Sequence, residues 1–416
     1  VADTEADAQA APEPEVPETP LLREPADGVP EPLVASPELA DLVRRMAEAT
    51  GPIAVDAERA SGYRYSQRAY LVQLRREGVG SVLIDPIELP ALSQLNTAIG
   101  DAEWILHAAS QDLPCLAELG LRPARLFDTE LAGRLLGVER VALGTMVETH
   151  LGVRLEKGHS AADWSTRPLP RDWLVYATLD VELLIPLRDV LAGLLDAAGK
   201  LEWAHQEFEA IRTAPQNPPR VDPWRRTSGI HKLRNRQQLA VVRALWQARD
   251  EYAAGRDVAP GRVLPDAAII EAATAMPKRA ADLAALSVFG GPRQRRQLSR
   301  WFGAIEAARA LPDTEWPPVT AQVDDDSVPP SARWREKDPV AAGRLARCRD
   351  VIAALSEQHA VLAQNLLAGD TVRRLAWDPP AATEEDVAAR LADLGARPWQ
   401  ITLTAPGLAQ ALTEPA

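Results

Sequence analysis

Cysteine is nearly absent: 416 residues carry two, Cys115 and Cys348, far apart and with no metal-ligand spacing around them. That excludes a disulfide framework and a thiolate zinc site and fits a reducing compartment. No apolar run approaches the roughly 20 residues that cross a bilayer, so a membrane partner is not expected. No glycine-rich loop of the Walker or dinucleotide type occurs, which leaves ATP- or NAD-driven chemistry without support. The N-terminus has neither a basic n-region nor an apolar h-region and does not read as a secretory signal. The cytoplasm is the expected compartment.

What is present is length enough for two or three domains, with an ordinary 46% hydrophobic content for at least one sizeable core. The net charge of −13 argues against a nucleic-acid partner only if it is spread evenly. It is not. Residues 1–40 hold ten acidic residues against Arg23, whereas 220–262 hold ten basic against four acidic. Residues 278–300 add six basic residues against Asp282. A phosphate backbone responds to such local patches rather than to the isoelectric point.

Residues 1–35, acidic and rich in Pro and Ala, predict a disordered tail. Ser36 then offers a cap for a helix through Leu39, Leu42 and Val43. From 36 to 210, apolar runs at Ile53–Val55, Tyr70–Leu74, Ser81–Ile84 and Trp104–His107 read as strands. Gln111–Leu119, Thr129–Leu136, Met146–Leu151 and Asp172–Leu195 read as helices. Early strands joined by short turns and later ones alternating with helices predict an α/β fold, a mixed sheet flanked by helices. Prolines mark a linker over 211–233, then a helical block over 234–310. A second linker follows over 311–338, with Asp324–Asp326, and a second helical block over 339–416.

Four separated carboxylates carry the chemical signal. Asp56 and Glu58 lie at i and i+2 of a strand, so both project from one face. Two like charges there repel unless a cation neutralises them; the competing reading is a solvated strand end. Asp112 lies where a strand gives way to a helix, a position that the helix dipole alone would favour. Asp180 is more telling. It shares a helix face with Tyr176, four residues before it, and with apolar neighbours, and no basic residue lies within a turn of it. A salt bridge or a metal ion must satisfy it, and the metal is the better candidate. Together the four suit two divalent cations, Mg2+ or Mn2+, which prefer oxygen ligands and stabilise the attacking and leaving oxygens of a phosphodiester. Tyr176 can orient the attacking water; the bland alternative is a core aromatic.

The order Asp-x-Glu, Asp, then Tyr-x-x-x-Asp resembles the DEDD exonucleases with Tyr in the third motif. The words His107-Ala108-Ala109-Ser110-Gln111-Asp112-Leu113, Phe127-Asp128-Thr129 and Asp163-Trp164-Ser165-Thr166-Arg167-Pro168-Leu169 are similar to those of the ribonuclease D family over residues 36–210. The resemblance implies a ribonuclease H-like fold and makes Asp56, Glu58, Asp112 and Asp180 metal ligands, with Tyr176 positioning the water. Val175 stands where the His-type subgroup carries its histidine. The activity implied is 3′→5′ trimming of structured RNA, such as tRNA precursors, to nucleoside 5′-monophosphates. Around Asn235–Leu239, Leu245–Asp250 and Pro260–Asp266 the second block resembles an HRDC domain, whose arginines suit phosphate contacts. Residues 339–416 read as a second such domain, though acidic.

A DNA exonuclease of the same superfamily and an inactive nucleic-acid-binding scaffold are the competing functions. The accompanying motifs favour RNA, and loss of a carboxylate, which a scaffold would show, is not seen. Asp128 or Thr129 is expected to cap the helix ending at Gly137. His107 is read as a packing residue, and Arg167 and Lys157 as either RNA contacts or solvated surface. A monomer is expected.

Overall fold

The computed structural model describes residues 19–413 except 157, 160, 216, 217, 219 and 321–327. Five strands build the main sheet: β2 (Ile53–Arg59), β3 (Ala69–Arg76), β4 (Gly80–Ile84), β5 (Glu103–Leu106) and β6 (Arg125–Asp128), preceded by the short β1 (Leu21–Leu22). Their order is β4-β3-β2-β5-β6, antiparallel for β4-β3-β2 and parallel for β2-β5-β6. This is the mixed sheet that the sequence predicts. β2 sits at its centre, buried on both faces, as Ile53, Ala54 and Val55 require.

The flanking helices are α1 (Ser36–Glu48), α2 (Ser93–Ile99), α3 (Leu113–Glu118), α4 (Thr129–Leu135) and α5 (Leu143–Leu151), followed, after the short β7 (Arg154–Leu155), by α6 (Arg171–Glu182), α7 (Leu184–Ala197) and α8 (Leu201–Arg212). Three local expectations need correction. Ala35, not Ser36, caps α1, and the Glu38 carboxylate closes the turn by accepting the N–H groups of Val34 and Ala35 at 3.3 Å. The single helix expected over 172–195 is broken at Leu183 into α6 and α7. Pro186 is the reason: it lacks an N–H, and its ring opposes the carbonyl of Glu182, one turn earlier. β6 was not anticipated, because four residues give no readable alternation.

The N-terminal tail is also corrected in part. Residues 1–18 lie outside the described residues, but Leu21–Leu22 pairs in parallel with β7, and Leu33 bridges to Ile84. Scattered apolar residues hold this stretch against the sheet although its composition is that of a disordered segment. Asp324–Asp326 also lie outside the described residues.

The helical block after residue 220 has its own core. It comprises α9 (Arg236–Arg256), α10 (Pro260–Val263), α11 (Asp266–Ala275), α12 (Ala280–Ala284), α13 (Pro292–Arg295) and α14 (Leu298–Ala310) around Leu245, Ile269, Phe289 and Trp301. Trp224, from the proline-rich stretch before it, is buried in the same core.

The last block differs in this respect. Its helices α15 (Trp334–Lys337), α16 (Pro339–His359), α17 (Ala363–Leu366), α18 (Gly369–Trp377), α19 (Glu384–Asp393) and α20 (Pro398–Thr413) share one continuous core with the sheet domain. Trp399 stacks on Trp203 of α8 with ring centroids 4.8 Å apart and donates from Nε1 to Glu207 at 2.9 Å. Lys200 Nζ donates to the carbonyls of Leu135 and Ala360, at 2.8 and 3.2 Å, joining the two parts. Gly137 has φ +80°, and a Cβ there would lie 2.7 Å from the Ala360 carbonyl oxygen. No side chain fits at that contact.

Candidate active site

The register of the sheet places the acidic groups. Asp56 and Glu58, opposite Gln73 and Leu71 of β3, share one face of β2. Helix α6 lies across that face, touching β2, β3 and β4, and lowers Asp180 onto it. Carboxylate oxygens of Asp56, Glu58 and Asp180 come within 4.8 Å of one another. Asp112 reaches the same neighbourhood from the N-cap of α3, beyond the end of β5. It is buried, and its charge acts on both Glu58 and Asp180.

Electrostatics show how costly this gathering is. Burial, partly offset by the Ala57 backbone N–H and by Arg59, pushes Asp56 up to about 6. Burial and then the neighbouring Asp56, Asp180 and Asp112 push Glu58 up to about 10. Asp112 rises to about 8, from burial and then Asp56, and burial holds Asp180 well above the carboxylate range. Four acids, two buried and two half-buried, that resist ionising together need a countercharge before all can be charged. Arg59, with Nη2 3.6 Å from Asp112 Oδ1, supplies one positive charge, which does not balance four.

Tyr176, one turn before Asp180 on α6, hydrogen-bonds the Asp180 carboxylate. Its ring packs 6.4 Å from Trp164 and edge-on to His159 at 6.0 Å. The phenol pKa is pushed up, first by burial and then by the acids beside it. The hydroxyl therefore stays protonated. Beside Glu58 opens a cleft of about 190 Å3 lined by Ala57, Arg59, Ser61, Gly62, Ala161 and Ala162. A larger hollow of about 850 Å3 lies around Arg75 and Glu182 and is lined by none of the five predicted site residues. Glu182 is already paired there with Arg75 at 3.0 Å. Of the five predicted site residues, Glu58 lines the smaller cleft.

Other residues singled out in the sequence have structural tasks. Asp128 caps α4 by accepting the N–H groups of Glu130 and Leu131 at 2.9 and 3.2 Å. Its oxygens also accept from Ala108 and Ala109 at 3.1 and 2.8 Å, which the sequence did not reveal. Those bonds fasten the turn before Asp112, where Ala108 adopts a left-handed conformation at φ 61°. His107 is half-buried with Nδ1 2.9 Å from the Thr129 hydroxyl, and desolvation lowers its pKa to about 4. Arg167, read from the sequence as an RNA contact or solvated surface, has a half-buried side chain engaged within the protein. It forks onto Asp85 at 2.6 and 2.8 Å and donates to the carbonyls of Tyr70, Trp164 and Thr166. Lys157 lies outside the described residues. Arg59 was overlooked, although its place directly after the Asp-x-Glu pair was the available signal.

Comparisons with known proteins bear on the family and the fold. Family models match residues 31–196 as a 3′-5′ exonuclease, 238–305 as an HRDC domain and 327–412 as a 3′ to 5′ exonuclease C-terminal domain. The last match carries a description different from the second HRDC-like domain expected for the C-terminal block. Ribonuclease D of Acidiphilium cryptum is 31% identical over 370 residues, covering 85% of this chain and 88% of that one. A crystal structure of a protein from Bifidobacterium adolescentis is 39% identical with TM-score 0.88, covering 95% of this chain and 100% of that one. Escherichia coli RNase D, described as an exoribonuclease involved in structured RNA processing, superposes with TM-score 0.65 at 25% identity. The match covers 92% of this chain and 98% of that one.

The fold and site thus define a 3′→5′ exonuclease. The chain belongs to the ribonuclease D family and is a 3′→5′ exoribonuclease. Among the described residues, no helix is long and apolar enough to cross a membrane.

Proposed function

We propose that Asp56, Glu58, Asp112 and Asp180 hold two divalent cations, Mg2+ or Mn2+, and that Tyr176 positions the attacking water. The observation that carries this is the convergence of three carboxylates within 4.8 Å, Glu58 buried and Asp56 and Asp180 half-buried, with the buried Asp112 alongside. All-oxygen donors suit a hard cation, and burial disfavours leaving them charged without one. When bound, such ions stabilise charge on the attacking and leaving oxygens of the scissile phosphodiester.

The chain's own groups account for the rest. The protonated Tyr176 hydroxyl, anchored by Asp180, sits where it can hydrogen-bond and orient a water. That water attacks phosphorus, the bond to the 3′ oxygen breaks, and the proton from water ends on the departing 3′ hydroxyl. A nucleoside 5′-monophosphate is released. His107, hydrogen-bonded to Thr129, is read as a packing residue, and Val175 offers no base.

The substrate we infer is structured RNA with an accessible 3′ end, such as a tRNA precursor. The basic block over 234–310 supplies phosphate contacts to hold it. The nuclease unit is proposed to span 36–210, with 211–233 and 311–338 as connections, and the protein to act as a monomer. The direct test is incubation with a 3′-labelled tRNA precursor and a DNA of matched sequence, with manganese, magnesium or EDTA. Trimming of the RNA with either metal and none with EDTA is expected. Metal-independent trimming refutes the metal assignment, and preferential DNA trimming refutes the RNA assignment.

A further inference from the structure

The basic helical block does more than present arginines to solvent: it is bolted to the segment that leaves the catalytic strand. Asp257, the left-handed residue that ends α9, accepts the Ser66 N–H at 2.8 Å and the Tyr70 hydroxyl at 3.2 Å. Tyr65 donates to Asp250 at 3.1 Å, and the Ala259 N–H donates to the Tyr63 carbonyl at 2.9 Å. Arg262 donates from Nε to the Gly62 carbonyl at 2.8 Å and lies over the Tyr63 ring, 3.9 Å from its centroid. Every one of these partners lies between residues 62 and 70.

That segment begins three residues after Arg59. Gly62, held by Arg262, lines the cleft beside Glu58. Tyr70, held by Asp257, belongs to the apolar cluster of Ala60, Trp164, Leu174 and Ala177, against which Tyr63 and Tyr176 pack. A continuous set of contacts therefore runs from the end of α9 to both walls of the candidate site, the Glu58 cleft and the Tyr176 ring.

We propose that Asp257 and Arg262 are positioning residues for the nuclease reaction, and that the HRDC-type block forms an outer wall of the active site. The block sets the 61–70 segment in the place that the 3′-terminal nucleotide requires, independently of any grip on RNA further from the 3′ end. This rests on the assignment of the site to Asp56, Glu58, Asp112 and Asp180.

The test uses the full-length protein and two substrates, a long structured RNA and a dinucleotide too short to reach the basic face. Arg262→Ala and Asp257→Ala are expected to lower kcat on the dinucleotide about tenfold, since small misplacements of reacting groups are costly. KM for the dinucleotide should change less than kcat, and Arg262→Lys, which keeps a donor for Gly62, should recover part of the rate. Backbone amide exchange over residues 61–70 should speed up in both alanine variants. An unchanged dinucleotide kcat, with only a raised KM for long RNA, overturns the proposal, because the block would then serve RNA binding alone. Unchanged exchange over 61–70 also overturns it. Should Asp257→Ala fail to fold, Arg262→Ala at its exposed position carries the test. Asp56→Asn assayed in parallel separates the two readings. If it retains trimming, the site assignment fails, while the exchange result still judges the wall.

Discussion

At the scale of single residues, the account turns on acids forced into one another's company. Asp56→Asn or Asp180→Asn should abolish metal-dependent trimming, with an unfolding transition no less stable than that of the parent, since each removes a costly buried charge. Full activity in both variants would refute the assignment. Tyr176→Phe keeps the ring between Trp164 and His159 but loses the hydroxyl; kcat should fall about a hundredfold with KM little changed. A kcat equal to that of the parent would return Tyr176 to a purely packing role.

The same acids give a pH signature. Their folded-state pKa values are raised, to about 6 for Asp56, 8 for Asp112 and 10 for Glu58. A group raised in this way favours the folded protein below its unfolded value, near 4, and loses that contribution as pH climbs through the folded value. The stability that this site contributes to the metal-free protein should therefore fall from about pH 4 towards pH 10. A cation must displace those protons, so its affinity should rise over the same window. Melting curves in EDTA and in manganese at pH 5, 6, 7 and 8 should show a Tm gap that widens with pH. A gap independent of pH would mean that the cation binds elsewhere.

Asp112 stood out only through the family resemblance. Asp56, Glu58, Tyr176 and Asp180 were legible as candidates because alternation along a strand and a four-residue helical step are visible without coordinates. Arg59 and the second pair of bonds made by Asp128 were not. The first looks like any surface arginine until its position beside Asp112 is known. The second joins residues 19 and 20 apart in sequence, across two strands.

Elements were legible where they are long or strongly patterned, and misread where one residue overrides the pattern. The apolar run over 172–195 continues through the break, and only the missing N–H of Pro186 interrupts it. β6 is too short to show a period, yet it ends on Asp128, which organises the turn that delivers Asp112. Asp128→Asn, which weakens charge-assisted bonds to four backbone N–H groups, should destabilise the protein by about 1–3 kcal/mol. Denaturant unfolding measures it. A change below experimental error would mean that the turn at Ala108 holds without help.

For the whole molecule, composition and proline spacing gave the order of the blocks but not how they share a core. The sequence treats residues 339–416 as an appended helical unit, and nothing local shows that Leu345, Leu375 and Trp399 complete the core of a sheet domain some 200 residues earlier. Burial depends on the partner surface, which sequence periodicity does not name. Trp399→Ala should therefore destabilise the nuclease domain itself, by about 3–5 kcal/mol, through loss of the Trp203 stack and of the bond to Glu207. The shift should show in one cooperative transition followed by a probe in the sheet domain. A separate early transition, with the sheet domain unaffected, would mean that the blocks are independent.

The claim beneath all of this is that four converging carboxylates share divalent ions. Crystals grown with manganese would answer it through anomalous scattering. We expect two peaks between Asp56, Glu58, Asp112 and Asp180, at roughly 2.2 Å from their oxygens. A map with no peak among those four side chains, or with manganese bound only elsewhere, would contradict the account.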